Sequence, residues 1–143
     1  LPVDIAVCAA AVSDFKPKDF NPSKIKKNKK TLKSLELDKN VDILDYLGKH
    51  NRNRPGLVVG FSAETENLIK NSEEKLREKR CDIIVANDVS KKDFGFNSQY
   101  NKVSLIENDG KILNIKKSKK KFIAAAITKK ILQKFLLIDE YIN

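Results

Sequence analysis

The sequence predicts an α/β fold: a Rossmann-like, doubly wound parallel sheet with an added C-terminal β-hairpin and helix. Three observations carry that expectation. Continuous apolar runs of strand length stand at residues 3–12, 57–63 and 81–88. Helical patterns separate the first run from the second and the second from the third. Asp109-Gly110 then divides two further strand-like segments ahead of a last helical stretch. Strands alternating with helices build parallel sheets, and strands covered on both faces lose the polar alternation of half-buried ones.

Element by element, VDIAVCAAAV (3–12) is the first buried strand, and a polar, proline-marked loop occupies 13–31. LKSLELD (32–38) alternates loosely, as a short edge strand does. A helix is predicted over 41–50, with Val41, Leu44 and Leu47 on one face and Ile43 beside it. Arg54-Pro55-Gly56 breaks the chain before the strand LVVGFSA. Thr65 is the expected N-cap of a helix running to Arg80, with the stripe Leu68, Ile69, Ser72 and Leu76. CDIIVAND is the third buried strand. KVSLIEN and KILNIKK flank Asp109-Gly110, a strong hairpin signal, and Ser118 is expected to cap an amphipathic helix over 119–137. With no internal repeat and no visible boundary, residues 1–143 read as one domain; the absence of methionine predicts a piece of a longer polypeptide.

Composition narrows the function classes. Lysine and arginine number 29 against 19 acids, a net charge of +10. The lysines are spread over several segments and do not gather on one predicted helix, so no nucleic-acid partner is expected. No apolar run approaches the roughly 18–20 residues of a membrane span. Asp4 stands where a signal peptide would be basic, so a cytoplasmic protein without a membrane partner is expected. Cys8 and Cys81 each sit in an apolar run and read as buried thiols of a reducing compartment. A single histidine, His50, and no CxxC leave no material for a zinc site. His50 itself reads as a surface residue.

In doubly wound sheets ligands bind at the carboxyl ends of the strands. Those ends are Ala10–Asp14, Phe61–Thr65 and Asn87-Asp88, three segments converging on one crevice. Neither GxGxxG nor GxxxxGK[ST] occurs, against a dehydrogenase or a P-loop NTPase. Lys75 and Lys79 are spaced i, i+4 and share a helix face. Spacing leaves two readings open for them, phosphate binding or a solvated face beside Glu74 and Glu78. The lysine-rich loop at 16–30 is similarly open, as a flap over a phosphorylated intermediate or as plain surface.

The motifs in order narrow the field further. AAAVSDF, PSKIKK, NVDIL, VVGFSAET, CDIIVANDVS and GFNS, followed by the hairpin and terminal helix, resemble the phosphopantothenoylcysteine synthetase domain of coenzyme A biosynthesis. The similarity is to the bacterial type, fused behind a flavin-dependent decarboxylase, and spans nearly the whole chain. It implies a phosphopantothenate–cysteine ligase that uses CTP and magnesium to activate the carboxylate of 4'-phosphopantothenate as an acyl-cytidylate, with release of pyrophosphate. Cysteine's amine then displaces CMP. FMN is implied only on the fused decarboxylase domain.

Position by position, the resemblance implies nucleotide contact by Cys8, Ala9 and Ala10 at a strand end, by Asp14, and by Lys24 at the start of the flap, where Lys24 is also catalytic. It implies the same for the segment Val41, Asp42, Ile43 and Leu44, for the aromatic Phe61, and for Lys75 and Lys79. It assigns no metal ligand, and it implies a homodimer, for which the 102–116 hairpin is the candidate interface. The chain departs from the family pattern at Val41 (usually proline), Ser62 (more often alanine) and Gln99 (usually aspartate). The family's glycine-rich turn and catalytic asparagine have no counterpart within residues 1–143 and are expected ahead of Leu1. A non-catalytic nucleotide-binding or dimerisation module and a basic nucleic-acid-binding protein are the competing readings.

Overall fold

In the computed structural model of the chain, residues 1, 3–19, 22–23, 34–50, 52–90 and 98–142 are described. In chain order the elements are β1 (Ile5–Cys8), β2 (Phe15–Pro17), β3 (Leu37–Lys39), α1 (Ile43–Lys49), β4 (Leu57–Glu64), α2 (Leu68–Glu78), β5 (Ile83–Asp88), β6 (Tyr100–Glu107), β7 (Ile112–Lys119) and α3 (Lys120–Ile142). They fall into two compact units, one of residues 1–9 and 43–143, the other of residues 10–42.

The larger unit is a five-stranded sheet in the order β1-β4-β5-β6-β7. β1, β4 and β5 are parallel, and the β6–β7 hairpin continues the sheet antiparallel from β5. The steps from β1 to β4 and from β4 to β5 run in the same direction. Right-handed crossovers therefore place α1 and α2 on one face. The side chains agree: Leu44 of α1 and Leu76 of α2 pack with Val58, Ile84, Ala86 and Ile106. Strand alternation sends Leu57, Val59, Ile83, Val85 and Leu105 to the other face, where Ile123, Ile127 and Ile131 of α3 cover them. With helices on both faces, the observed architecture is the expected α/β one. Each fully buried Leu, Ile or Val contributes about 1.5–3 kcal/mol, so these two layers supply most of the drive to fold.

Four local expectations are corrected. The first strand covers only Ile5–Cys8, and the chain leaves the larger unit after Ala9. α2 begins after Asn67, which sits in the left-handed region at φ 47° with no side-chain capping bond, so Thr65 is not the cap. Asn tolerates that backbone better than a β-branched residue does. Ser118 caps nothing: it lies in β7 opposite Asn101, and β7 runs straight into α3. Val41 lies ahead of α1 and is 74% exposed, so it is not on that helix's apolar face.

The smaller unit is an antiparallel ribbon in which Phe15, Lys16 and Pro17 oppose Lys39, Asp38 and Leu37. A strand thus lies within the segment read as loop at 13–31, and the edge strand expected at 32–38 is found at Leu37–Lys39. Lys18 and Glu36 pair at 3.0 Å across the ribbon, and the Asn40 amide N–H donates to the Asp14 carbonyl at 2.8 Å.

Candidate functional site

Within the larger unit the site is built where β1 stops. Cys8, the last residue of β1, lies opposite Gly60 of β4. A Cβ at Gly60 would stand 2.6 Å from Leu44 Cδ2 and 2.7 Å from Ile84 Cδ1, so a side chain here would have to displace the tips of two core side chains where α1 packs on the sheet. Leu44 and Cys8 consequently share one apolar cluster, and the first turn of α1, with Ile43 and Leu44, stands beside the end of β1.

α2 and its C-cap bring Lys75 and Lys79 to the same region. Lys75 Nζ donates to the Phe61 carbonyl at 2.9 Å. Lys79 Nζ lies 3.5 Å from Asp45 Oδ1 in the first turn of α1, where Lys49 Nζ also pairs at 2.6 Å. The hydrogen bond from Lys49 holds the Asp45 carboxyl below the usual aspartate range, and the charges of Lys49 and Lys79 add to it against the effect of burial. Two ammonium groups one helical turn apart therefore reach α1 and the end half of β4. Asp45 was not singled out in the sequence; the signal available was its i, i+4 spacing to Lys49.

Other strand-end residues are accounted for structurally. The Phe61 side chain packs on the opposite, α3-covered face, together with Ile5. Asp88 Oδ1 accepts from the Ser90 N–H at 3.0 Å and the Ser90 hydroxyl at 2.6 Å, closing the turn after β5. Ser62 is matched by Ser72: their hydroxyls lie 2.6 Å apart, both buried. The departure from alanine at 62 and the polar residue in the α2 stripe thus satisfy each other. Burial, reinforced by Asp82, pushes the Cys81 thiol up to about 12, so it is not a nucleophile. Neither Cys8 nor Cys81 forms a disulfide; Cys81 is buried as expected, whereas Cys8 is half-buried. His50 is also half-buried: its Nδ1 accepts from the Asn53 N–H at 3.1 Å, and its ring meets Tyr46 edge-on.

Of the predicted contacts, Cys8, Ile43, Leu44, Phe61, Lys75 and Lys79 are in the larger unit, as is Ala9 directly after β1. Ala10, Asp14, Val41 and Asp42 are in the smaller one, where the Asp14 side chain is exposed and its backbone is tied into the ribbon. Lys24, residues 20–21 and 25–30 of the 16–30 loop, and Gly95, Phe96 and Asn97 of the GFNS motif lie outside the described residues. Among the described residues no group of three His, Cys, Asp or Glu side chains could hold a metal ion. No helix among them is long and apolar enough to cross a membrane.

Comparison with known proteins gives one consistent picture. Residues 1–135 match the family described as DNA/pantothenate metabolism flavoprotein C-terminal domain. The coenzyme A biosynthesis bifunctional protein CoaBC of Borreliella burgdorferi is 42% identical over 127 residues, covering 88% of this chain and 31% of that protein. Its Bacillus subtilis namesake is 40% identical over 107 residues, covering 75% and 26%. The crystal structure of the C-terminal domain of CoaBC superimposes with a TM-score of 0.69 at 31% identity, over 96% of this chain and 56% of that one. The chain therefore spans about a third or less of the curated relatives it matches.

Proposed function

Because the chain belongs to the DNA/pantothenate metabolism flavoprotein C-terminal domain family, we propose that it performs the phosphopantothenate–cysteine ligase reaction of coenzyme A biosynthesis. A carboxylate oxygen of 4'-phosphopantothenate attacks the α-phosphorus of CTP, the bond to the β-phosphate bridge breaks, and pyrophosphate leaves. The cysteine amine then attacks the acyl carbon, the acyl–oxygen bond to CMP breaks, and the amine releases its proton.

The difficulty in the first step is charge, since an anion must approach a triphosphate. The observation that carries the proposal is the placement of Lys75 and Lys79 against α1 and the end half of β4. One ammonium rests on a carbonyl and the other lies beside an already paired carboxylate. Both partners are weak competitors for a triphosphate, which offers several anionic oxygens and stronger charge-assisted bonds. Cys8, Ala9, Ile43 and Leu44 would line the nucleotide through their backbone, with Phe61 near it. Ala10, Asp14, Val41 and Asp42 are assigned the remaining nucleotide contacts, and Lys24 the role of catalytic lysine on the flap. Magnesium, as co-substrate metal, would travel on the phosphate oxygens, its usual habit; the described side chains offer it no cluster, and no step is assigned to protein ligands. FMN is assigned to a fused decarboxylase domain and not to residues 1–143. A homodimer through residues 102–116 completes the proposal, supported by Ile112 and Leu113 standing 41% and 43% exposed on that hairpin.

Thermal unfolding in the presence of CTP, ATP or a short DNA duplex tests the binding half. CTP at about 100 times its dissociation constant would stabilise the fold by about 2.7 kcal/mol. Lys75→Ala removes most of that gain while barely moving the transition without nucleotide, because the Lys75 ammonium gives up a single hydrogen bond, to the Phe61 carbonyl, among the described residues. Stabilisation by DNA and not by CTP at physiological salt overturns the assignment.

A further inference from the structure

The candidate site is placed at the carboxyl ends of the parallel strands. A second concavity, of ≈ 480 Å³, lies at the amino ends of β4 and β5, between the last turn of α1, the end of α2 and the residues that lead into the two strands. Its walls carry four cations, Lys49, Arg54, Arg77 and Arg80, with His50 beside them, against one carboxylate, Asp82.

The acid is fully engaged within the fold. Asp82 Oδ2 accepts from the Arg54 guanidinium at 2.9 Å and from the Val58 N–H at 2.7 Å, and Oδ1 accepts from the Asn108 amide at 3.2 Å. Arg54 also donates to the carbonyls of Gly48, Pro55 and Arg80 at 3.0, 2.9 and 2.7 Å. One guanidinium thus fastens the end of α1, the turn after α2 and the start of β5, so this wall stands before any ligand arrives. Arg77 and Arg80 differ: their side chains are exposed and make no hydrogen bond or ion pair among the described residues. His50 Nδ1 accepts from the Asn53 N–H at 3.1 Å, which puts the neutral ring's proton on Nε2 and makes that nitrogen a donor. Basic residues at helix carboxyl ends ordinarily answer the helix dipole. One cation at each end would serve. That role gives no reason for Arg80, which stands beyond the α2 cap, or for both helices to present their cations to one hollow.

We propose that this hollow binds the phosphoryl group of a small molecule, either a phosphate ester or free phosphate. Arg77 and Arg80 take its oxygens by paired N–H donation, and His50 Nε2 and Lys49 complete the ring of donors. With Lys49 paired to Asp45 and Arg54 to Asp82, Arg77 and Arg80 leave a surplus of two positive charges. That surplus complements a phosphate, whose charge is about −2 at neutral pH. Guanidinium forks suit a group with three acceptor oxygens better than they suit a lone carboxylate with two. The inference does not rest on the ligase reading, because Lys75 and Lys79 line no part of this hollow.

Titration of the isotope-labelled chain with inorganic phosphate at constant ionic strength, followed by nuclear magnetic resonance, tests the site. Amide signals at Gly48–His50, Arg80–Asp82 and Asn108 should follow one saturable curve. A second arm uses glycerol phosphate: tighter binding than inorganic phosphate assigns the site to an ester, and equal or weaker binding assigns it to the free ion. Arg77→Gln and Arg80→Gln should each weaken binding by about tenfold, the loss of a charge-assisted bond. Neither should move the thermal transition, since both side chains are exposed. Lys75→Ala should leave phosphate affinity at this hollow unchanged, so failure here and failure of the nucleotide assignment are told apart. Shifts that never saturate, that succinate reproduces at equal concentration, that survive both arginine substitutions, or that appear only around Lys75 and Lys79 overturn the proposal.

Discussion

Gly48 is the residue at which α1 meets the turn after α2. A Cβ there would collide with the Lys79 carbonyl oxygen and stand 3.2 Å from that of Arg80, and both obstacles are backbone. The turn cannot retreat freely. Arg80 holds a left-handed φ of 50°, and the Arg54 guanidinium donates to the Arg80 carbonyl at 2.7 Å, to the Gly48 carbonyl at 3.0 Å and to Asp82 Oδ2 at 2.9 Å. Gly48→Ala should therefore destabilise by about 1–3 kcal/mol, lowering the thermal midpoint by several degrees. An unchanged midpoint in calorimetry would show that α1 is free to move away. Nothing in LGKH marks this glycine as a contact, because the atoms that exclude a side chain come from residues about thirty positions later. Ser72 is the converse case: its place in the helical stripe was legible, and the reason a hydroxyl is tolerated there, Ser62, required the fold.

At the scale of elements, β6 is locked to α3 by a buried carboxylate. Glu107, 5% exposed, pairs with Lys130 at 2.8 Å and Lys134 at 3.0 Å. Burial by itself would raise the Glu107 carboxyl, but the hydrogen bonds and charges of the two lysines outweigh it and hold the group below its ordinary value. A carboxyl lowered in the folded state contributes stability above its unfolded value, near 4.3, and loses it as pH falls through the folded value. The thermal midpoint should therefore fall with acidification below about pH 4.3. Glu107→Gln should cost about 2–4 kcal/mol at neutral pH by leaving two partly buried ammonium groups unpaired, and should flatten that acid slope. Parallel pH profiles for the two proteins would contradict the assignment. Periodicity made α3 legible, since Ile123, Ile127 and Ile131 repeat every four residues. The ion triad was not, because its members lie 23 and 27 positions apart and no spacing rule connects them.

For the molecule as a whole, the order of strands and helices was readable from apolar runs, and with it the strand ends at which the candidate site is placed. The i, i+4 spacing of Lys75 and Lys79 gave a shared face; that this face turns toward α1 and the Phe61 carbonyl depends on the closeness of two helices, which no spacing shows. The strand at Phe15–Pro17 escaped notice because three residues amid lysines and prolines carry too little pattern. The central claim is that the assembled site makes an acyl-cytidylate, and pyrophosphate release by the product of the complete reading frame measures it most directly. With 4'-phosphopantothenate, magnesium and CTP, pyrophosphate should appear in step with CMP once cysteine is supplied, should be lost in Lys75→Ala and Lys24→Ala, and should not appear with ATP in place of CTP. Turnover that runs on ATP, or binding of CTP with no pyrophosphate released, would contradict the account.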